Sequence, residues 1–158
     1  MTITNRLRFL PIILVAVAAL AGCATPVATR DNTELPFDQA AAVATDNLVK
    51  QTQNLPAFLA KIAKRAVVVD PMLDGSSGQQ TAATRLLEQK VVDRMKNNYA
   101  VFDMLPFDTS SLTKAQYLLT GTMTRDQSSK AGVYQLNLAL TDIKTGNVVA
   151  QSLSLIHI

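Results

Sequence analysis

The chain has 158 residues, enough for one domain with a core of its own, and it carries one histidine, one cysteine and no tryptophan. Its formal charge is +3, but Arg6 and Arg8 belong to an N-terminal leader, and without them 13 basic side chains face 12 acidic ones. There is therefore no basic field for nucleic acid. Any nucleophilic triad or histidine-containing zinc site would have to use His157, the one histidine of the chain.

Residues 1–22 read as a secretory signal: Arg6 and Arg8, then an apolar run from Phe9 to Ala21, then small residues. The run is shorter than the roughly 20 apolar residues a membrane-spanning helix needs. Leu20-Ala21-Gly22-Cys23 resembles the lipobox of bacterial lipoproteins. That resemblance implies cleavage between Gly22 and Cys23, and a diacylglycerol on the Cys23 thiol. It also explains a lone cysteine in an exported chain, which otherwise has nothing to pair with. Two or three acyl chains hold a protein durably where one does not. By the same resemblance, Ala24 in place of an inner-membrane aspartate places the protein in the outer membrane, facing the periplasm. Residues 24–36, polar and with two prolines, are expected to be a tether, so residues 23–36 form the lipidated linker and 37–152 the folded domain.

The pattern predicts a helix over 38–53, capped by Asp38 and stapled by Phe37, with Ala41, Ala44 and Leu48 on its apolar face. A second helix is expected over 56–65, with Lys61, Lys64 and Arg65 in its last turn. AVVVD, 66–70, reads as a strand buried on both faces. A loop follows, in which Ser77 and Gln80 could cap a helix over 81–98 with Ala83, Leu87, Val91 and Met95 inward, widened by Leu86 and Val92. Further strands are expected at 100–105, 117–125 and 132–143, with a short helix over DTSSLTKAQ. Gly121 suggests close packing within its strand. KTGN, 144–147, is a hairpin turn that leads into a returning strand, VVAQS. The expected layout is ααβαβαβββ, an α/β domain with helices packed on a mixed sheet and a C-terminal hairpin cut short.

It is cut short because Leu153–Ile158, LSLIHI, reads as the in-frame translation of the mosaic-end adapter of transposase-based sequencing libraries. On that reading residues 153–158 are not natural, the gene continues beyond Ser152, and His157 drops out of consideration.

Three stretches, VVVDPMLDGSSGQQTAATRLLEQKVVDRM, YLLTGTMTR and LALTDIKTGNVVAQS, resemble a group of bacterial envelope lipoproteins. The group takes in the FlgO family, the LpoB activators of penicillin-binding proteins and the periplasmic domain of the CsgG curli pore. Tyr117, Leu119, Gly121, Asp142, Thr145 and Gly146 match its strand-and-turn motifs. The resemblance, FlgO-like first, implies a non-catalytic binding or assembly module with an envelope protein or peptidoglycan as partner and no cofactor. It also implies two alternatives: an LpoB-like activator of a peptidoglycan synthase, or the N-terminal part of a longer peptidoglycan-binding protein. The remaining candidate for a ligand site is the loop with Asp70, Asp74, Ser76 and Ser77, where Gly75 and Gly78 could offer N–H groups to an anion. A plain turn followed by a helix cap is the competing reading of that loop.

Overall fold

The computed structural model describes residues 28–53, 64–129 and 132–158. Its frame is a seven-stranded mixed sheet in the order β1-β7-β6-β5-β2-β4, with β3 attached to β5. The elements run β1 (Thr29–Pro36), α1 (Phe37–Thr52), β2 (Arg65–Val69), β3 (Leu73–Asp74), α2 (Ala82–Asn98), β4 (Phe102–Leu105), α3 (Thr109–Leu112), β5 (Tyr117–Arg125), β6 (Val133–Asp142) and β7 (Val148–His157). Pairing of β1 with β7, and of β5 with β2, is parallel, while β6 pairs antiparallel on both sides. Among the described strands β6 alone therefore runs against the rest.

The α/β class and mixed sheet are as expected, with four corrections. Residues 29–36, expected as tether, form β1, an edge strand whose state is set by the unpaired edge of β7 and not by any apolar period of its own. Helix α1 begins at Phe37 with Pro36 in the capping position and no side-chain cap; Asp38 lies inside the first turn and pairs instead with Lys90 at 3.1 Å. Arg65, expected in a helix, opens β2, and its guanidinium donates to the Thr52 carbonyl, so it neutralises the C-terminus of α1. The rest of the expected helix over 56–65, apart from Lys64, lies outside the described residues. The cap of α2 is Thr81, not Ser77: its hydroxyl accepts from Thr84 N–H while the Thr84 hydroxyl accepts from Thr81 N–H.

One face of the sheet holds the core. Leu119, Leu136, Leu138 and Leu140 point from β5 and β6 toward Leu48 of α1 and Leu87, Val91 and Met95 of α2, all fully or almost fully buried. Small residues on α1, Ala40, Ala41 and Ala44, let that helix lie close over β7. The buried hydroxyls of Thr45 and Thr52 are satisfied within the helix by the carbonyls of Ala41 and Val49. The helices are clamped to each other by Asp46. Its carboxylate takes two bonds from Arg94, at 2.9 and 2.7 Å, and one from the Tyr99 hydroxyl at 2.6 Å. The pair holds Asp46 below the usual carboxylate range, while burial and the nearby carboxylate push Tyr99 up to about 12.

Gly121 fulfils the close-packing expectation. A Cβ there would lie 2.7 Å from Met72 Sδ and 3.1 Å from Leu138 Cδ2, both of buried side chains. In β7 the pattern is less regular. Whereas β6 turns Leu136 and Leu138 inward and Gln135 and Asn137 outward, residues 153–155 do the reverse, with Leu153 and Leu155 outward and Ser154 buried. The Ser152 and Ser154 hydroxyls are buried without a partner among the described residues.

Two stability changes follow. Gly121→Ala should cost about 1–3 kcal/mol through overpacking. Ser154→Ala should gain about 1 kcal/mol or more by removing an unpaired buried hydroxyl. Urea unfolding curves of the two variants check both signs.

Candidate functional site

The loop singled out by sequence is a turn. Asp74 Oδ1 accepts from the N–H groups of Ser76 and Ser77, each at 2.8 Å, and from the Ser77 hydroxyl at 3.2 Å. The glycines have no N–H to spare for an anion: Gly75 donates to Met123 and Gly78 to Asp74. The same arrangement occurs at Asp108, which gathers Ser110 and Ser111, and at Asp126, which gathers Ser128 and Ser129. The shared signature is Asp-x-Ser-Ser, three times in the chain. That repetition was the available signal that Asp74 has a folding role: a short acidic side chain bonding its own backbone two residues on. These bonds lower the pKa values of Asp74 and Asp108 and bring that of Asp126 down to about 2.

Asp70 is not joined to this set. It follows the last residue of β2, its N–H donates to Leu119, and burial raises its carboxyl above the ordinary value. Asp70 and Asp74 thus have opposite electrostatic characters. Glu88 of α2, which sequence reasoning passed over, braces the loop from outside: one carboxylate oxygen accepts from Met72 N–H at 3.1 Å and from the Gln80 amide at 2.8 Å. Nothing in its surroundings in sequence marks it, because its partners lie 8 and 16 residues away.

What the fold does build next to this loop is a groove of about 290 Å³ where β2 and β4 end. Both strands point the same way, so their carboxyl ends open on one edge of the sheet, where α/β folds usually place ligands. Val69 and Pro71 form one end, and Glu88, Val92 and Lys96, successive turns of α2, form a wall. Met104, Leu105 and Phe107 form the other side. Phe107 is 51% exposed, an unusual place for a large aromatic ring. Glu88 has its carboxylate engaged, and Lys96 supplies a movable charge at the rim. Such a surface suits an apolar side chain of a partner with an acidic neighbour. Among the described residues no cluster of three or more His, Cys, Asp or Glu side chains is placed to hold a metal ion, and no helix is long and apolar enough to cross a membrane. Cys23 and Gly22 lie outside the described residues.

The sign of the pH response follows from these carboxylates. Asp46, Asp74, Asp108 and Asp126 bind protons more weakly folded than unfolded, so their contribution is present above their unfolded value of 3.8 and is lost as pH falls through the folded values, to about 2 for Asp126. Asp70 works the other way. Asp70→Asn should raise the thermal midpoint at pH 7, and that gain should close as pH falls toward 3.8. Asp74→Asn should lower the midpoint at pH 7. Thermal scans from pH 7 to pH 2 distinguish the two.

No protein-family model and no curated protein matches the chain. Solved structures do. The C-terminal domain of LpoB from Escherichia coli superposes with a TM-score of 0.57 at 11% identity, over 78% of this chain and 100% of that domain. The corresponding domain from Salmonella enterica gives 0.49 at 14% identity over the same shares. A DUF330 protein from Xanthomonas campestris gives 0.42 at 18% identity, over 61% of this chain and 67% of that one. At such identities it is the architecture that is shared, and the Escherichia coli superposition establishes it: the domain has the fold of an LpoB C-terminal domain.

Proposed function

We propose that this chain is a lipid-anchored protein of the bacterial envelope, attached through Cys23 to the outer membrane and facing the periplasm. On this reading its α/β domain works by binding a protein partner, and the role is activation of a peptidoglycan synthase. The observation that carries the reading is the LpoB-domain fold, matched over the whole of that domain. The groove beside β4 supplies the means. Phe107 and Leu105 give an apolar anchor point with one exposed aromatic ring, and Lys96 a charge at its edge. Anchoring raises the effective concentration of the groove near partners in the same compartment. Catalysis has no part in this reading.

A FlgO-like accessory role in a surface apparatus is the second reading, and β1 favours it. With Thr29–Pro36 taken into the sheet, only residues 24–28 remain between the lipidated cysteine and the fold. Five residues span about 17 Å at roughly 3.3 Å each, which keeps the domain close to its membrane and suits a partner located there.

Cys23→Ser should move the protein from the membrane to the soluble fraction of disrupted cells; retention in the membrane would remove the anchor. Phe107→Ala should change stability by no more than about 0.5 kcal/mol, since the ring is half exposed. The same change should weaken stimulation of a purified peptidoglycan synthase by about tenfold in the concentration required. Undiminished stimulation would place the contact elsewhere. No stimulation by the unaltered protein would favour the accessory role.

A further inference from the structure

We infer that the free edge of β4 takes an extended segment of the peptidoglycan synthase as an added strand, one side chain of which fills the groove. This deepens the activator reading above and rests on it.

β4 ends its side of the sheet, and among the described strands its one neighbour is β2. The direction of its backbone groups follows from the parallel ladder. Arg65 N–H donates to the Val101 carbonyl at 2.8 Å, and Ala66 turns the other way, its carbonyl accepting from Gln116 N–H at 2.9 Å. Alternate residues of a parallel strand face alternate neighbours. With Arg65 opposite Phe102 and Val67 opposite Met104, the ladder uses Val101, Asp103 and Leu105. Phe102 and Met104 therefore turn their backbone groups away from the sheet. The Phe102 N–H is taken by the Tyr99 carbonyl at 3.0 Å. The Met104 N–H and the carbonyls of Phe102 and Met104 have no hydrogen-bond partner among the described residues.

The groove runs along this edge. Glu88, Val92 and Lys96 cover two turns of α2, about 12 Å at roughly 1.5 Å per residue. The residues of β4 cover about 13 Å at roughly 3.3 Å each. A short strand laid on β4 thus matches the groove in length. Its side chains would alternate between the two faces of the sheet. On the groove face they meet Leu105 and Phe107 where β4 ends, and Lys96, which lies just ahead of β4 in the chain, where it begins. The charges define the segment. Lys96 has no ion pair among the described residues. Asp103 is exposed on the opposite face, since Phe102 and Met104 pack against the core. The fitting segment carries an apolar residue for Phe107, an acidic residue two places away for Lys96, and a basic residue between them for Asp103. Pairing with a second copy is disfavoured, because two β4 strands edge to edge bring both Asp103 carboxylates onto one face. The strand is also short and stops at Pro106, which deters open-ended pairing.

Hydrogen exchange of the full-length protein, read amide by amide, tests the edge. In the protein alone the Met104 N–H should exchange at least about tenfold faster than those of Asp103 and Leu105, and a purified peptidoglycan synthase should slow it at least about tenfold. Met104→Pro deletes the outward donor and leaves the bonds to β2 in place, while Met104→Ala loses the side chain alone. Half-maximal stimulation of the synthase should need about tenfold more of Met104→Pro than of Met104→Ala. Equal requirements overturn the added strand. So does a Met104 amide already protected in the protein alone, or one that slows with the protein's own concentration and not with the synthase. If Met104→Pro does not fold, exchange in the unaltered protein decides by itself. A complex that forms without slowing the Met104 amide overturns the added strand and leaves the activator reading standing; no complex at all overturns both.

Discussion

Asp46 joins the two helices that cover the sheet. α1 lies over β6 and β7, while α2 lies over β4 and β5 and walls the groove at the ends of β2 and β4. The core runs continuously beneath both helices, but apolar packing is permissive about the rotation of one helix over another. Two guanidinium bonds and a phenol bond on one carboxylate are not permissive, because their angles are fixed by a planar acceptor and a planar donor. The clamp sets where α2 stands, α2 sets where Glu88 reaches, and Glu88 fixes the loop that closes one end of the groove. A surface pair of this kind contributes modestly to stability. Its larger effect is on geometry.

The sequence was most legible where one face is buried and the period is clean. β5 agrees with expectation at both ends, α2 starts one residue later than expected and ends where expected, and β6 is one residue shorter at each end, since Leu87, Val91 and Met95 or Leu136, Leu138 and Leu140 can satisfy themselves in only one secondary structure. The Lys144–Asn147 turn was legible because Gly146 takes a positive φ of 72° and Asp142 bonds Thr145. β1 was not legible, since its polar residues take strand form only because β7 offers an open edge. The α2 cap was ambiguous in SSGQQT, where Ser77 and Thr81 are equally good by chemistry and the choice falls to where Glu88 and Asp74 pull the loop.

The candidate site was hidden for a different reason. Pro71, Val92 and Phe107 are far apart in the chain, and none has a chemical signature. Conversely, Asp74 looked like a site residue because it had the right company of serines and glycines, and that company is what an Asx turn consists of. Residue type cannot separate the two cases when the ligand is the chain's own backbone; only the count of N–H groups already spoken for does so. In this loop none of the glycine donors is left over.

The strand directions have a spatial consequence. β1, β7, β5, β2 and β4 all point one way, so residue 28 enters at the corner where the strands begin and at the β1 edge. The groove sits where strands end and at the β4 edge, the diagonally opposite corner. Six strands across, at about 4.8 Å per step, put the two edges roughly 24 Å apart before the strand length is added. The sheet is thus a rigid outrigger: whatever grips the chain at its entry corner, the open aromatic ring is carried to the far side, turned away from the point of attachment.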